Sequence, residues 1–269
     1  MNKNLIDLTI ILPTINECQN LKILIPEIVK KIDEATINKY EIIVVDDGST
    51  DETDDLINNF NNSNKNIKLL NRQSEPSLPM SIYEGINKSN YDYVMWLDAD
   101  GSMPAETIKD LINFQSENLE HVVVGSRFIK GGGYKGIQEI GKTSFFSALI
   151  NVSESKDSVS GMIASTLFNR LLIYILKSPI KDLTSGFIIG QKKYFHKDNF
   201  SRSSYGEYFV YLITDLMRNN VSIKELGYIC ETRIHGESKT ASSLMQLFRR
   251  GVPYIKAALI ARRTNENIR

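Results

Sequence analysis

The chain alternates short, almost wholly apolar runs with longer stretches whose apolar residues return every three or four positions. Leu8-Thr9-Ile10-Ile11-Leu12 is the first such run. It is β-branched and stopped by Pro13, and so predicts a buried strand. From about Asn16 to Lys31, with Ile32 just beyond, the residues Leu21, Leu24, Ile25, Ile28, Val29 and Ile32 fall at helical spacing. Glu41 to Val45 predicts a second strand that runs into Asp46-Asp47-Gly48-Ser49. A helix over Thr53 to Phe60, a strand over Ile67 to Leu70 and a helix over Met80 to Lys88 follow. Tyr91 to Leu97 is a fourth strand, ending on Asp98-Ala99-Asp100. Pro104 opens the next helix at the first position, where a missing N–H costs nothing, and His121 to Gly125 is a fifth strand.

Strand and helix in strict alternation require parallel strands with crossover helices on both faces, an α/β fold. The near-continuous apolar strands fit a sheet covered twice. Ligands in such sheets bind beyond the carboxyl ends of the strands. Polar clusters stand at four of those ends: Asn16-Glu17, Asp46-Asp47, Asp98 to Asp100, and Ser126-Arg127. Four on one edge make a site. After Arg127 the rhythm breaks. Gly131-Gly132-Gly133 opens an irregular stretch to about Ser160, then Met162 to Leu176 reads as an apolar helix interrupted by Asn169 and Arg170. A more antiparallel portion follows, with a strand at Phe187-Ile188-Ile189, a helix around Tyr208 to Arg218, and Ile223 to Cys230. The expected organisation is one domain over residues 1–240, its halves meeting near residue 127, with a tail over 241–269.

Composition narrows the class. With 269 residues, 42% hydrophobic and 24% charged, the chain has an ordinary globular make-up, not a disordered or collagen-like one. Its 32 basic residues balance 32 acidic ones, so no nucleic-acid partner is expected. The two cysteines, Cys18 and Cys230, suit a reducing compartment. Neither a signal-peptide core nor an apolar run of ~18 residues occurs, so the expected location is cytoplasmic.

Asp98-Ala99-Asp100 is a D-x-D at a strand end. Two such carboxylates can converge on one Mg2+ or Mn2+, with substrate phosphates completing its oxygen shell. The competing reading is a turn and helix cap before Pro104, and Ser102 fits either as a weak ligand or as a cap. Val44-Val45-Asp46-Asp47-Gly48-Ser49-Thr50-Asp51 is more specific, since two acids and a glycine can meet a base or ribose closely. Gly136 to Thr143 matches G-x-x-x-x-G-K-[ST] letter for letter. That phosphate loop must leave a buried strand, and Lys130 to Lys135 is none, so a P-loop NTPase is kept only as a remote alternative.

Pro13-Thr14-Ile15-Asn16-Glu17, Val45-Asp46-Asp47-Gly48-Ser49 and Asp98-Ala99-Asp100, in this order and spacing, resemble the family 2 glycosyltransferases of GT-A fold. Gly125-Ser126-Arg127, Asp182 to Phe187 and Arg233 to Lys239 are similar to the dolichol-phosphate (polyprenyl-phosphate) mannosyltransferase branch. The resemblance implies that Pro13, Glu17, Val45, Asp47, Asp98 and Ala99 bind the nucleotide of a nucleotide-diphosphate sugar. Asp98, Asp100 and Ser102 would hold the metal. Arg127, Ser165, Arg233, Ser238 and Lys239 would face phosphates, and Asp98, Asp100, Arg127 and Asp182 would form the catalytic set. Ile15, Glu75 to Pro79 and Gly161 depart from the family pattern. The implied reaction is metal-dependent, inverting transfer to a polyprenyl phosphate. The alternative acceptor is a saccharide hydroxyl, with Asp182 as its base; a binder without catalysis is the remaining rival.

The tail adds a location. From Lys239 to Asn265 there are six basic residues and no acid, interleaved with apolar ones. Gly251-Val252-Pro253 predicts two short helices, each with an apolar and a basic face. Such helices favour anionic lipid by about 1 kcal/mol per basic residue, which predicts a peripheral enzyme on the cytoplasmic face of a membrane, with a membrane-anchoring protein as a further partner. The alternative is a tail packed on the enzyme's own core.

Overall fold

The first apolar run becomes the axis of a seven-stranded sheet. The computed structural model describes residues 4–134, 138–139, 156–231, 233–235 and 244–266. In chain order the strands of the large sheet are β1 (Ile6–Thr14), β2 (Ile37–Asp46), β3 (Ile67–Asn71), β4 (Tyr93–Trp96), β5 (Val122–Ser126), β8 (Ile188–Gln191) and β9 (Ile223–Gly227). A small sheet joins β6 (Gly133–Tyr134), β7 (Gln138–Glu139) and β10 (Ile229–Cys230). The helices are α1 (Cys18–Asp33), α2 (Thr53–Ser63), α3 (Leu78–Lys88), α4 (Ala105–Glu117), α5 (Lys156–Leu176), α6 (Lys197–Ser201), α7 (Tyr208–Arg218) and α8 (Leu244–Glu266).

The large sheet runs β3-β2-β1-β4-β8-β5-β9. Every pairing in it is parallel except those of β8, which is antiparallel to both β4 and β5. The mostly parallel sheet is thus as expected, and the second half of the chain contributes one strand to its middle. Helices cover both faces. On one, Leu24 and Ile28 of α1 and Ile108 and Leu111 of α4 pack on Ile10 and Val44. On the other, Ile82 of α3, Leu172 of α5 and Phe209 to Leu212 of α7 pack on Ile11, Val45 and Trp96.

Two boundaries differ from the pattern. Helix α5 begins at Lys156, inside the stretch read as irregular to Ser160. Helix α8 is one helix through Gly251-Val252-Pro253, not two. An interior proline forfeits a backbone hydrogen bond, and packing on both sides offsets that loss. Ala257, Ala258 and Ala261 are buried, Arg218 Nη2 donates to Ala261 O at 2.6 Å, and Phe168 lies against the bare face of Gly251. Of Gly136 to Thr143, only Gln138 and Glu139 lie within the described residues, and they form β7, antiparallel to β6.

Glu41 ties the sheet edge together. It is buried in β2 and accepts from Thr9 Oγ1, Asn90 N and Asn90 Nδ2, each at 2.7 Å, while Lys68 pairs with it. Burial alone raises its carboxyl pKa; the Asn90, Lys68 and Thr9 donors outweigh that and hold it below the ordinary value. The ionised form therefore contributes stability above the unfolded pKa, and this is lost as pH falls through the depressed folded pKa. Glu41→Gln should cost about 2 kcal/mol at neutral pH, read by urea unfolding. The gap to wild type should close in acid; a gap that persists there would show the charge to be irrelevant.

Candidate active site

Strands β1, β2, β4, β5 and β9 share one direction, so their carboxyl ends open on one edge. Strand β4 delivers Asp98 and Asp100 there, with Ala99 buried between them. The next residue, Gly101, has φ +79, and a Cβ on it would stand 2.5 Å from Ile234 Cδ1, so the turn requires glycine on two counts. Asp100 Oδ1 accepts from Ser102 N at 2.9 Å. Its Oδ2 pairs with Arg233 Nη2 at 2.8 Å, and Arg233 Nη1 donates to Glu17 Oε1 at 3.1 Å. One guanidinium thus bridges two strand ends.

The segment bearing Arg233 is fastened to this turn. Glu231 N donates to Ser102 O at 2.9 Å and Ile234 N to Asp100 O at 3.2 Å. His235 N donates to Asn20 Oδ1 at 2.8 Å, and Asn20 Nδ2 returns a bond to His235 O at 3.2 Å. Glu17, Asp98, Asp100, Ser102 and Arg233 are therefore brought together, as the sequence predicts. Ser238 and Lys239 lie outside the described residues. Burial pushes the Asp98 carboxyl up to about 7, and the Asp100 charge adds to the push; Arg233 and Arg127 oppose it.

A second part of this edge is built from the loops after β1 and β2. Pro13 and Val45 are register partners. Gly48, at φ +90, closes a turn in which Asp46 Oδ2 accepts from Gly48 N at 3.0 Å and Ser49 N at 2.8 Å. Asn16 Oδ1 accepts from Thr50 N at 2.7 Å and locks the two loops together. Asp47 pairs with buried Arg72 and accepts from Ser77 N, and Arg72 Nε donates to Glu84 Oε1 at 2.9 Å. Arg72 was missed in the sequence. It follows β3, whose end reaches the same edge, and that position was the available signal.

On the far side, the Arg127 fork lies on Asp182. Nε donates to Oδ2 and Nη2 to Oδ1, both at 2.8 Å; Nη2 also donates to Thr184 Oγ1, and Arg127 N to Asp182 Oδ2 at 3.0 Å. Asp182 is fully buried and also accepts from Thr184 N at 3.1 Å, which orients this turn. The guanidinium lies 5.2 Å from the Phe128 ring centroid and 5.9 Å from that of Tyr134. Tyr134 Oη is 3.3 Å from Ser165 Oγ, which puts Ser165 in the same neighbourhood. Burial works against the Arg127 charge, and Asp182 more than offsets it.

The family model described as Glycosyl transferase family 2 matches residues 9–198. The chain belongs to this family. A dolichol-phosphate mannosyltransferase of Pyrococcus furiosus is 32% identical over 168 residues, covering 58% of this chain and 45% of that protein. The poly(ribitol-phosphate) beta-N-acetylglucosaminyltransferase TarP of Staphylococcus aureus is 24% identical over 226 residues, covering 81% of this chain and 66% of TarP. The chain thus spans about half to two thirds of these relatives. Glucosyl-3-phosphoglycerate synthase of Mycobacterium tuberculosis, solved with Mn2+, UDP and glucosyl-3-phosphoglycerate, superposes with a TM-score of 0.63 at 15% identity. That likeness covers 95% of this chain and 80% of the synthase, and it shows the GT-A fold.

In this family 2 glycosyltransferase, the donor atoms at the β4 end suit a hard divalent cation. Two carboxylates share the turn, and one of them is driven towards protonation by the other and by burial. Among the described residues, no group of three or more His, Cys, Asp and Glu is placed to hold an ion. The fit is therefore to a cation that takes its remaining ligands from other oxygens, as Mg2+ commonly does. Ionising Asp98 costs stability as pH rises from its ordinary 3.8 towards about 7, and a bound cation offsets that cost. A cation held by Asp98 would have to displace its proton, so Mn2+ affinity followed by electron paramagnetic resonance would then weaken up to about tenfold per pH unit below about 7. A flat profile there would remove Asp98 from the ligand set.

Proposed function

We propose that the chain is a metal-dependent, inverting glycosyltransferase that moves a sugar from a nucleotide-diphosphate sugar to a polyprenyl phosphate. The carrying observation is the pairing of Asp98 and Asp100 beside Glu17 and Arg233 at the strand ends, across from an Arg127 clamp. Pro13, Val45 and Asp47 would seat the base and ribose, with Arg72 fixing Asp47 in place. Asp98 and Asp100, with Ser102 nearby, would hold Mg2+ or Mn2+. When bound, the cation neutralises charge that develops on the leaving diphosphate. Arg233 sits where it can share that task, and attack from the opposite side of the sugar inverts the anomeric carbon.

The acceptor side favours a phosphate nucleophile. A hydroxyl needs a general base within reach, but both oxygens of Asp182 are committed to Arg127 and Thr184. A phosphate monoester has a second pKa near ~6 and arrives mostly ionised. It needs cations and hydrogen-bond donors; Arg127, although paired with Asp182, and Ser165 would face it. Support for the class comes from the P. furiosus relative, whose name specifies a dolichol phosphate acceptor. A second reading, transfer to a saccharide hydroxyl, is favoured by the long match to TarP.

The test is a purified enzyme offered labelled nucleotide-sugars with a water-soluble short-chain polyprenyl phosphate or with saccharides. Transfer to the lipid phosphate is expected, lost with chelator and reduced about 1000-fold or more in Asp98→Asn and Asp100→Asn. Transfer to saccharides alone would install the second reading. Full turnover under chelation would end the metal-dependent mechanism.

A further inference from the structure

Helices α5 and α8 lie side by side and run the same way. Phe168 meets Tyr254 ring to ring at 5.7 Å, and one turn or two further on Arg262 Nη1 donates to Ile175 O at 3.4 Å. Both turn an inner face to the same core, with Leu172 from α5 and Ala257 and Ala258 from α8. Their outer faces carry large apolar side chains in helical register: Leu167, Leu171 and Tyr174 on α5, and Val252, Leu259 and Ile260 on α8. Ten large hydrophobic side chains are exposed among the described residues, and six of them stand on this one helix pair. That is a patch, not scatter.

Its charge is one-sided. Arg170 on α5, Lys177 just past its end, and Lys256 and Arg263 on α8 are exposed within or beside the same stripes. No acid occurs from Ser158 to Lys181 or from Lys239 to Asn265. The inner face of α5 serves the site. Asn169 Oδ1 accepts from Leu183 N at 2.9 Å and Asn169 Nδ2 donates to Lys181 O, holding the chain on either side of Asp182. Ser165, also facing inward, touches Tyr134 beside Arg127.

We propose that the outer face of the α5–α8 pair is a docking surface for an anionic lipid bilayer, and that it sets the Arg127 side of the cleft at headgroup level. An apolar stripe whose exposed charged neighbours on the two helices, among the described side chains, are cations matches an interface whose interior is apolar and whose surface is negative. A protein partner would need acidic complementarity and gives no reason for the active-site helix to carry the stripe. The inference rests on the lipid-phosphate reading for its purpose, and its surface is tested separately.

The experiment is flotation of the full chain with phosphatidylcholine vesicles carrying about one third phosphatidylglycerol, and with phosphatidylcholine alone. Binding to the anionic vesicles should weaken at about 0.5 M salt. Leu171→Gln/Tyr174→Gln/Leu259→Gln should weaken it about tenfold or more, and Lys256→Gln/Arg263→Gln should weaken it at low salt and flatten its dependence on salt. Both variants should keep the wild-type melting temperature and the rate of transfer to the water-soluble acceptor. Wild type that ignores anionic vesicles at low salt overturns the proposal. So does a wild-type dimer, seen by sedimentation, that the apolar triple variant converts to monomer without changing vesicle binding. Failure of transfer to every lipid phosphate, with vesicle binding intact, would instead remove the acceptor reading and leave the docking surface standing.

Discussion

Crowding negative charge at the end of a buried strand is the constraint around which this molecule is arranged. Asp98 and Asp100 share one short turn, Glu17 stands one strand away, and burial drives the Asp98 carboxyl up to about 7. Unpaired, such a cluster would be expensive. The chain answers with Arg233, brought from more than 200 residues away and placed between Glu17 and Asp100. Four hydrogen bonds link Glu231, Ile234 and His235 to Ser102, Asp100 and Asn20 and secure that placement. The first half supplies the acids and the second supplies the countercharge. Neither forms the site alone.

The same division explains what sequence alone could show. Strand ends at Asp46, Asp98 and Arg127 were legible because a parallel sheet puts every strand's carboxyl end on one edge, and continuous apolar runs mark such strands well. Helices α1, α3 and α7 were legible from period alone. Pairings that hold the site were not. Arg72 on Asp47 and Arg233 on Glu17 join residues distant in the chain, and an Arg in a polar segment carries no local mark of its partner. Asp182 was legible as important but ambiguous in role; only its complete engagement by Arg127 and Thr184 distinguishes an orienting carboxylate from a base.

The failed boundary at Pro253 has the same origin. Local rules end a helix there, since the proline ring removes a hydrogen bond. Burial of Ala257, Ala258 and Ala261 and the bond from Arg218 to Ala261 O come from the rest of the fold and outweigh the local cost. Continuity has a structural consequence. Two short helices could turn their apolar faces independently, whereas one helix docked through small residues must leave Val252, Leu259 and Ile260 on its far side.

Helix α5 brings these threads together. One face of it carries Asn169, which holds the strand-like turn around Asp182, and Asp182 in turn aligns the Arg127 guanidinium. A shift of α5 along or about its axis would therefore be felt at Arg127 through two short hydrogen-bonded links. The opposite face is apolar and basic, and it is braced by α8 through Phe168–Tyr254 and Arg262 to Ile175 O. Whatever surface loads that outer face also loads the element that positions Arg127. No helix of the described residues is long and apolar enough to cross a membrane. An amphiphilic acceptor whose phosphate lies at the boundary of an apolar phase would meet a cleft whose wall and whose docking face are two sides of one helix.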